Sequence, residues 1–347
     1  MKIDLICNDG SPLGVIPPDI DSRGVGGAEM AMMMLMQTFA ERGHQVSVYN
    51  DPRPPGTYSG VEYRTRGNFN PRAPRDVLVV FRSPNPLLIG ALASKLKVWW
   101  STDQYTVGSF KALSELVDYC VTISPYHTAY HQRTYEIPAE RIGHIDLGVR
   151  LADYERDVRK IENRLIYCSV PDRGLAILHA AWPLIKREVP NASLTITSDY
   201  TLWGVGANDV HHRLNWAGMS GVEYLGKVNR GDLVRLQLEA EILAYPCTYE
   251  ELFCLSAAEC QVAGCFPVTT GAGALPTTNS HGLCVTGDLT NPSALQNNFV
   301  DRITSLLRGE RGYLEERRRT MMVAARMRFD WNVIAERWET LFEEGTL

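Results

Sequence analysis

The feature that most constrains the fold is a regular alternation of short apolar segments with longer amphipathic ones. Runs of strand length recur along the first half of the chain: KIDLIC, QVSVYN, DVLVVF, KVWWST and YCVTIS. Segments of helical length separate them, and the one that follows the glycine-rich GVGGAE stops at Gly43. Strands and helices in alternation predict a parallel sheet covered by helices on both faces, which is an α/β fold.

The alternation starts a second time after a polar stretch, VRLADYERDVRKIEN, and the new strand-like runs are RLIYCS, ASLTITS, VEYLGKV, ILAYP and FPVTT. The last segment, RMRFDWNVIAERWETLFEEG, is expected to form one long amphipathic helix. The sequence therefore predicts two Rossmann-like domains, residues 1–152 and 153–327, and a C-terminal helix over 328–347. Two such domains usually bind a ligand in the cleft between them, where strand ends and helix N-termini meet. A nucleotide or another phosphate-bearing ligand is expected there.

Charge argues against a protein whose affinity rests on nucleic-acid phosphates. The formal net charge is −5, and residues 1–150 hold fifteen Lys and Arg against fifteen Asp and Glu. A local exception is a run of five arginines in the first half. They are Arg64, Arg66, Arg72, Arg75 and Arg82. Such runs are usually solvated, so we expect a solvent-exposed loop and strand edge there.

The eight cysteines include no CxxC pair, and several lie inside apolar runs. This pattern indicates buried free thiols in a reducing compartment and argues against disulfides or a zinc site. The opening MKIDLICNDG lacks the apolar core of a signal peptide, and no apolar run reaches the length of a membrane span. We therefore expect a cytoplasmic protein and leave peripheral membrane association open. Three histidines of the first half are expected to be structural: His127, His131 and His144.

Two glutamates stand eight positions apart around an apolar run, in ELFCLSAAE. A helix is expected to begin between Phe253 and Ser256, so Glu251 precedes its first turn and Glu259 lies inside it. The amides of Phe253, Cys254 and Leu255 would be among the unpaired donors at that helix end, which can hold a diphosphate. Glu251 could then accept hydrogen bonds from sugar hydroxyls and Glu259 from a ribose. The plainer alternative is that Glu251 only favours the helix N-terminus and that Glu259 is exposed.

This spacing, followed by Gly264 and Pro267-Val268, resembles the E-x7-E signature of retaining nucleotide-sugar glycosyltransferases with the GT-B fold. The resemblance covers most of the chain. GGAE, with Gly26 and Gly27, resembles the family's glycine-rich loop beside the donor phosphate, and DLGVRLADY resembles its linker between domains. The resemblance implies an N-terminal acceptor domain, a C-terminal nucleotide-sugar domain facing it across a central cleft, and a closing helix that crosses back to the first domain.

The chain departs from the family pattern at two places. The family carries Gly-Arg and then Lys-Gly for the diphosphate, whereas this chain has no first arginine and has Arg173-Gly174 at the second place. Arginine can grip phosphate with two donors, and Lys227 is our candidate for a second cation. In the first domain Thr102 stands where relatives are expected to have histidine, while Asp103 is retained.

The resemblance implies front-face transfer of a hexose from a UDP- or GDP-linked sugar to an acceptor hydroxyl, with retention of configuration. Arg173 would stabilise the leaving diphosphate, Glu251 would hold the sugar, and Asp103 would contact the acceptor hydroxyl or the sugar O6. No metal is expected, because no Asp-x-Asp follows a strand and protein cations can replace magnesium. No cofactor is expected beside the donor substrate. The acceptor could be a glycan, a lipid-linked sugar or a small molecule.

Two alternatives remain open. In one, the same fold glucosylates a modified base in DNA, with the arginine run contacting phosphates. In the other, the chain binds a sugar nucleotide with little turnover, which the missing arginine and Thr102 would suit.

Overall fold

The computed structural model describes residues 1–7, 14–82, 93–105, 109–197, 200, 209–309 and 311–347. The chain divides into two compact units. The first comprises Met1–Gly148 and Phe329–Leu347, and the second Val149–Arg328. Each unit is built on its own sheet, so the predicted α/β fold with two parallel sheets is confirmed.

The first unit is an eight-stranded sheet whose spatial order is β3-β4-β2-β1-β5-β6-β7-β8. Its strands are β1 (Lys2–Ile6), β2 (Gln45–Tyr49), β3 (Gly56–Tyr58), β4 (Val61–Arg64), β5 (Val77–Phe81), β6 (Leu96–Trp100), β7 (Tyr119–Thr122) and β8 (Ile142–His144). Its first helices are α1 (Pro18–Ser22), α2 (Gly27–Glu41), α3 (Phe110–Ser114) and α4 (Pro125–Tyr135). β3 pairs antiparallel with β4, and the other pairings are parallel.

The second unit is a six-stranded sheet in the order β11-β10-β9-β12-β13-β14, and its pairings are parallel. Its strands are β9 (Arg164–Tyr167), β10 (Ser193–Ile196), β11 (Val222–Tyr224), β12 (Ile242–Tyr245), β13 (Phe266–Thr270) and β14 (Leu283–Val285). Its helices are α5 (Leu175–Glu188), α6 (Asp209–Trp216), α7 (Arg230–Glu239), α8 (Leu255–Val262), α9 (Leu275–Thr278), α10 (Pro292–Arg308) and α11 (Arg311–Arg328). A 3-10 helix, Leu151–Tyr154, opens the unit.

Central strands are apolar and buried on both faces, as the sequence pattern predicts. Every residue of β5 and of β13 is buried. In the first sheet the strand order reverses between β1 and β5, and in the second between β9 and β12. Such switch points open crevices at the carboxyl ends of the strands, which is where open α/β sheets bind ligands.

The end of the chain is two helices and not one, which corrects the prediction of a single long helix. α11 ends at Arg328 and α12 (Trp331–Glu344) begins three residues later. The Asp330 carboxylate accepts a hydrogen bond from the Asn332 amide (2.8 Å), so Asp330 caps a new helix start. Apolar periodicity continues across this short break, which is why it suggested one helix.

α12 packs on the first unit, so the predicted return of the C-terminal helix to the first domain is confirmed. Phe342 contacts Phe39 of α2, with ring centroids 5.5 Å apart, and Trp338 contacts Trp100 at 5.3 Å. The Arg42 guanidinium donates two hydrogen bonds to Glu339, at 2.7 and 2.9 Å.

Within the described residues, which include all eight cysteines, every cysteine is a free thiol and only Cys284 is not fully buried. None of the helices described there has both the length and the apolar character that crossing a bilayer requires.

Candidate functional site

Two of the residues singled out in the second half of the sequence, Arg173 and Glu251, meet at the switch point of the second sheet. Arg173 lies in the loop after β9, and Glu251 lies in the loop after β12, the neighbouring strand. Arg173 Nε is 3.2 Å from Glu251 Oε1, and each side chain is only 15% exposed. Two residues 78 positions apart in sequence (251 minus 173) therefore form one partly buried ion pair at the carboxyl edge of the sheet.

A glycine makes this approach possible. Gly174 has φ +95°, and a Cβ placed on it would lie 2.1 Å from the carbonyl oxygen of Pro246, directly after β12. Only glycine fits both the left-handed backbone and the contact. The Arg173-Gly174 pair is thus held against the end of β12, which brings Arg173 to Glu251.

The Glu251 carboxylate is fixed by several groups. The Tyr245 hydroxyl donates to Glu251 Oε1 at 2.6 Å, and the Cys247 thiol lies 3.9 Å from the same oxygen. The Glu251 carbonyl accepts from the Ala274 amide at 2.7 Å, in the loop after β13. Burial raises the pKa of the Glu251 carboxyl above its ordinary value, while the Tyr245 hydrogen bond and the Arg173 charge oppose that rise.

An aromatic ring covers Arg173. The guanidinium carbon lies 3.4 Å from the centroid of the Tyr249 ring, which is a close cation–π contact. Sequence reasoning missed Tyr249 and Tyr245. The signal that could have found them is position, because both lie at or just beyond the carboxyl end of β12, close to Glu251.

The helix after Glu251 begins at Leu255, inside the predicted interval. Cys254 precedes it with φ +75°, and its carbonyl accepts the amides of Ala257 and Ala258. The Ser256 hydroxyl donates to the carbonyl of Cys168 at 2.7 Å, which ties the first turn of α8 to the segment after β9. Phe253 is buried. The diphosphate contact of Phe253, Cys254 and Leu255 stays a prediction.

Glu259 is buried and paired, so the alternative that it is exposed is wrong. Arg230 Nη1 donates to Glu259 Oε1 at 2.6 Å, and Gln237 Nε2 donates to Glu259 Oε2 at 3.2 Å. Arg230 Nε also donates to Asp153 Oδ2 at 2.8 Å. This pairing links α7, α8 and the 3-10 helix of the linker. Sequence reasoning missed Arg230, and nothing local marks it out. Ribose binding by Glu259 stays a prediction.

Lys227 is exposed and follows β11, the edge strand of the sheet. β10 lies between β11 and β9, the strand that precedes Arg173. Lys227 thus follows a strand two places from β9 in the sheet, and its role as a second cation stays a prediction.

The first unit has a polar cluster at its own switch point. Arg82, directly after β5, donates to both oxygens of Asp103 at 2.8 and 3.0 Å, and to Glu29 at 3.3 Å. Gly26 caps α2, Gly27 is its first residue, and a Cβ on Gly26 would meet the Glu29 carboxylate at 2.3 Å. The predicted glycine loop and Asp103 thus share one cluster, to which Arg82 and Glu29 are additions.

The arginine run is not a free basic surface. Arg75 is buried and donates to Asp4 at 2.8 Å. For this residue the expectation of a solvated arginine run is wrong. Arg64 and Arg66 each lie 2.5 Å from a carboxylate, of Glu62 and Asp51 respectively, and Arg82 is held as described. Of the five, Arg64 and Arg72 are exposed. Carboxylates thus pair with four of the five arginines, which reduces the positive charge that this run could offer to DNA phosphates.

Two of the histidines are buried in an aromatic cluster. His131 Nε2 forms a hydrogen bond with the Ser101 hydroxyl at 2.8 Å, and the His131 ring stacks on Trp99. Burial lowers the pKa of His131 to about 3, and it also lowers that of His127. Both are fully buried, in agreement with the prediction of a structural role. His144 is half-buried. Among the residues that the structure describes, no three His, Cys, Asp or Glu side chains are grouped to hold a metal ion.

Comparison with known proteins identifies the architecture. Residues 163–309 match the family model of the glycosyl transferases group 1. No protein of curated function matches the chain in sequence. The sucrose-phosphate synthase from Thermosynechococcus elongatus is similar in structure, with a TM-score of 0.72 and 16% identity over 99% of this chain and 98% of that chain.

Two further structures are similar over nearly their whole length. The catalytic domain of starch synthase IV from Arabidopsis thaliana, bound to ADP and acarbose, has a TM-score of 0.72 and 11% identity over 99% of each chain. HepE from Anabaena, in complex with UDP-glucose, has a TM-score of 0.65 and 16% identity over 98% of this chain and 99% of that chain. Residues 163–309 thus match the glycosyl transferases group 1 model, and the chain as a whole has the GT-B fold.

Proposed function

We propose that this chain is a retaining, metal-independent glycosyltransferase. It moves a hexose from a UDP- or GDP-linked sugar to an acceptor hydroxyl. The observation that carries the proposal is the Arg173–Glu251 pair, at 3.2 Å, on the switch point of the second sheet and close to the start of α8. This pair provides a cation for a diphosphate and a carboxylate for sugar hydroxyls within one partly buried site.

The chemistry follows from where charge develops. As the glycosidic bond to the diphosphate breaks, negative charge grows on the leaving oxygens, and donors already aimed at them lower the barrier. Arg173 and the amides of Phe253, Cys254 and Leu255 supply such donors. One well-placed donor of this kind is worth about 3 kcal/mol of barrier. Arg173 would then divide its charge between the Glu251 carboxylate and the phosphate. This arrangement requires that Arg173 and Glu251 both stay ionised.

Glu251 holds the transferred sugar through its hydroxyls. The hydrogen bond from Tyr245 and the charge of Arg173 oppose the rise in pKa that burial causes. These two neighbours favour the carboxylate, which accepts hydrogen bonds from hydroxyls better than the neutral acid does.

The remaining roles follow the family pattern. The second unit binds the nucleotide sugar, with Glu259 at the ribose and Lys227 as a further cation. The first unit binds the acceptor, with Asp103 at its hydroxyl and Gly26-Gly27 near the donor phosphate. Support for a nucleotide-sugar donor comes from relatives of the same fold, one in complex with UDP-glucose and one bound to ADP and acarbose.

A donor panel tests the proposal. The purified chain is melted with UDP-, GDP- and ADP-linked hexoses, since the true donor raises the melting temperature with its occupancy. Donor hydrolysis is then followed for the stabilising donor, with and without EDTA. The wild type should release sugar with unchanged rate in EDTA, and Glu251→Gln should abolish release. The neighbouring exposed glutamate serves as the matched control, because Glu250→Gln should retain it.

Other outcomes separate the alternatives. Stabilisation by a donor without any hydrolysis or transfer would support a binding protein and reject the enzyme. Loss of activity in EDTA would reject metal independence alone. NMR of the anomeric proton in an isolated product would reject retention if the configuration were inverted. Transfer to duplex DNA with modified bases, and to no sugar or lipid-linked acceptor, would support the DNA alternative.

A further inference from the structure

The loop that carries Glu251 also carries the exposed ring that covers Arg173. Tyr249 is 36% exposed, so its ring is not part of the apolar core, whereas the Arg173 side chain beneath it is 15% exposed. The ring centroid lies 3.4 Å from the guanidinium carbon. At that distance the ring stacks on the face of the guanidinium group.

One tight turn delivers both groups. The Glu251 amide donates to the carbonyl of Tyr249 at 2.8 Å, which folds these residues into a turn only two positions wide. The turn is anchored at its far end, where the Ala274 amide donates to the Glu251 carbonyl at 2.7 Å. The Tyr249 ring and the Glu251 carboxylate are therefore held by the same short, fixed piece of backbone.

The two groups contact different parts of Arg173. The ring lies on its face, whereas the Glu251 carboxylate meets Nε at the edge of the guanidinium group. Because all five N–H donors of arginine lie in one plane, a stacked ring fixes the orientation of that plane without consuming a donor. A lysine would gain no such orientation, because its ammonium group has no plane.

We propose that Tyr249 is a positioning residue for the diphosphate of the donor, which acts by fixing the plane of the Arg173 guanidinium group. The inference rests on the proposed function and assigns this chain a determinant of phosphate binding outside the Glu251–Glu259 pair. Holding the plane before the ligand arrives reduces the rotamer entropy that a long side chain loses on binding.

Binding measurements on two variants test this role. Tyr249→Phe keeps the ring, and Tyr249→Leu removes it. Calorimetric titration with UDP or GDP, whichever the wild type binds, should give a dissociation constant for Tyr249→Leu that is raised roughly 2- to 13-fold, the range expected for the entropy of immobilising one long side chain. Tyr249→Phe should stay within about two-fold of wild type. Titration with the corresponding nucleoside, which lacks phosphate, should give equal constants for all three proteins.

A cycle with Arg173→Lys gives the second readout. If the ring acts through the guanidinium plane, Tyr249→Leu should lose most of its effect in the Arg173→Lys background. Melting temperatures of the variants monitor folding. Equal UDP or GDP affinity of wild type and Tyr249→Leu would overturn the inference, and so would an equal loss for nucleoside and nucleoside diphosphate. A wild type that binds none of the nucleoside diphosphates would instead overturn the proposed function.

Discussion

Replacing Glu259 should destabilise the second unit strongly, because this glutamate neutralises a buried arginine. The Arg230 side chain is 6% exposed and contacts two carboxylates, Glu259 at 2.6 Å and Asp153 at 2.8 Å. Arg150 lies 2.7 Å from Asp153, so the four side chains carry two positive and two negative charges. Glu259→Ala leaves two positive charges against one negative charge in this cluster.

The expected cost follows from the burial of Arg230. Breaking a buried ion pair by removing one partner costs about 3–5 kcal/mol, because the remaining charge stays desolvated. Asp153 still compensates part of the Arg230 charge, so we expect the lower end, about 3 kcal/mol. For a unit of this size that corresponds to a fall in melting temperature of roughly 6–12 °C. Glu259→Gln keeps an acceptor for Arg230 and should cost less.

The assay is thermal and urea unfolding of the full chain at neutral pH, without ligand. Glu315→Ala is the matched control, because Glu315 is an exposed helical glutamate of the same unit and should change stability by less than about 0.5 kcal/mol. A double variant, Glu259→Leu with Arg230→Met, removes one charge of each sign and leaves the Asp153–Arg150 pair. Its cost should be smaller than that of Glu259→Ala alone.

Two results would refute the reasoning. One is a cost of Glu259→Ala below about 1 kcal/mol, the level of an exposed ion pair. The other is a double variant whose cost equals or exceeds that of Glu259→Ala alone, since charge balance would then have no role.

Two further predictions concern a backbone contact and an exposed ion pair. Gly174→Ala should disrupt the site and cost donor affinity as well as stability, because its Cβ would lie 2.1 Å from the Pro246 carbonyl; Gly218→Ala, with φ +78° but open space around it, should cost about 1 kcal/mol. Donor titration and unfolding of both variants check this, and equal behaviour would contradict it. The Arg42 and His44 side chains lower the pKa of Glu339 to about 2 from 4.5. A carboxyl whose pKa is lowered by folding stabilises the protein at pH values above its ordinary pKa. The stability that Glu339 contributes should therefore be lost as the pH falls from about 4.5 towards 2. Urea unfolding across that pH range should show that the free energy of unfolding falls less steeply with acid for Glu339→Gln than for the wild type. An equal pH dependence would contradict the contribution assigned to Glu339.

The resemblance to the GT-B family implied the return of the last helix to the first unit. Periodicity in the sequence itself determined the α/β class, the two sheets and the start of α8. These features depend on local periodicity and on turn residues, which a single segment displays by itself. The sequence did not reveal the break at Asp330, because only two residues separate α11 from α12 and the apolar periodicity is almost unchanged across them. The positions of Arg173 and Glu251 were also predictable, since both follow strands that a parallel sheet aligns at one edge.

Only the tertiary structure decided what these side chains contact. Arg230 meets Asp153 and Glu259, which are 77 and 29 positions away, and Arg82 meets Asp103 from 21 positions away. The Tyr249 ring lies on Arg173 because Gly174 packs against the end of β12. No local pattern encodes such pairs. They form because strand order and close packing bring distant segments together, and buried charges are then stabilised by whichever partners lie within reach.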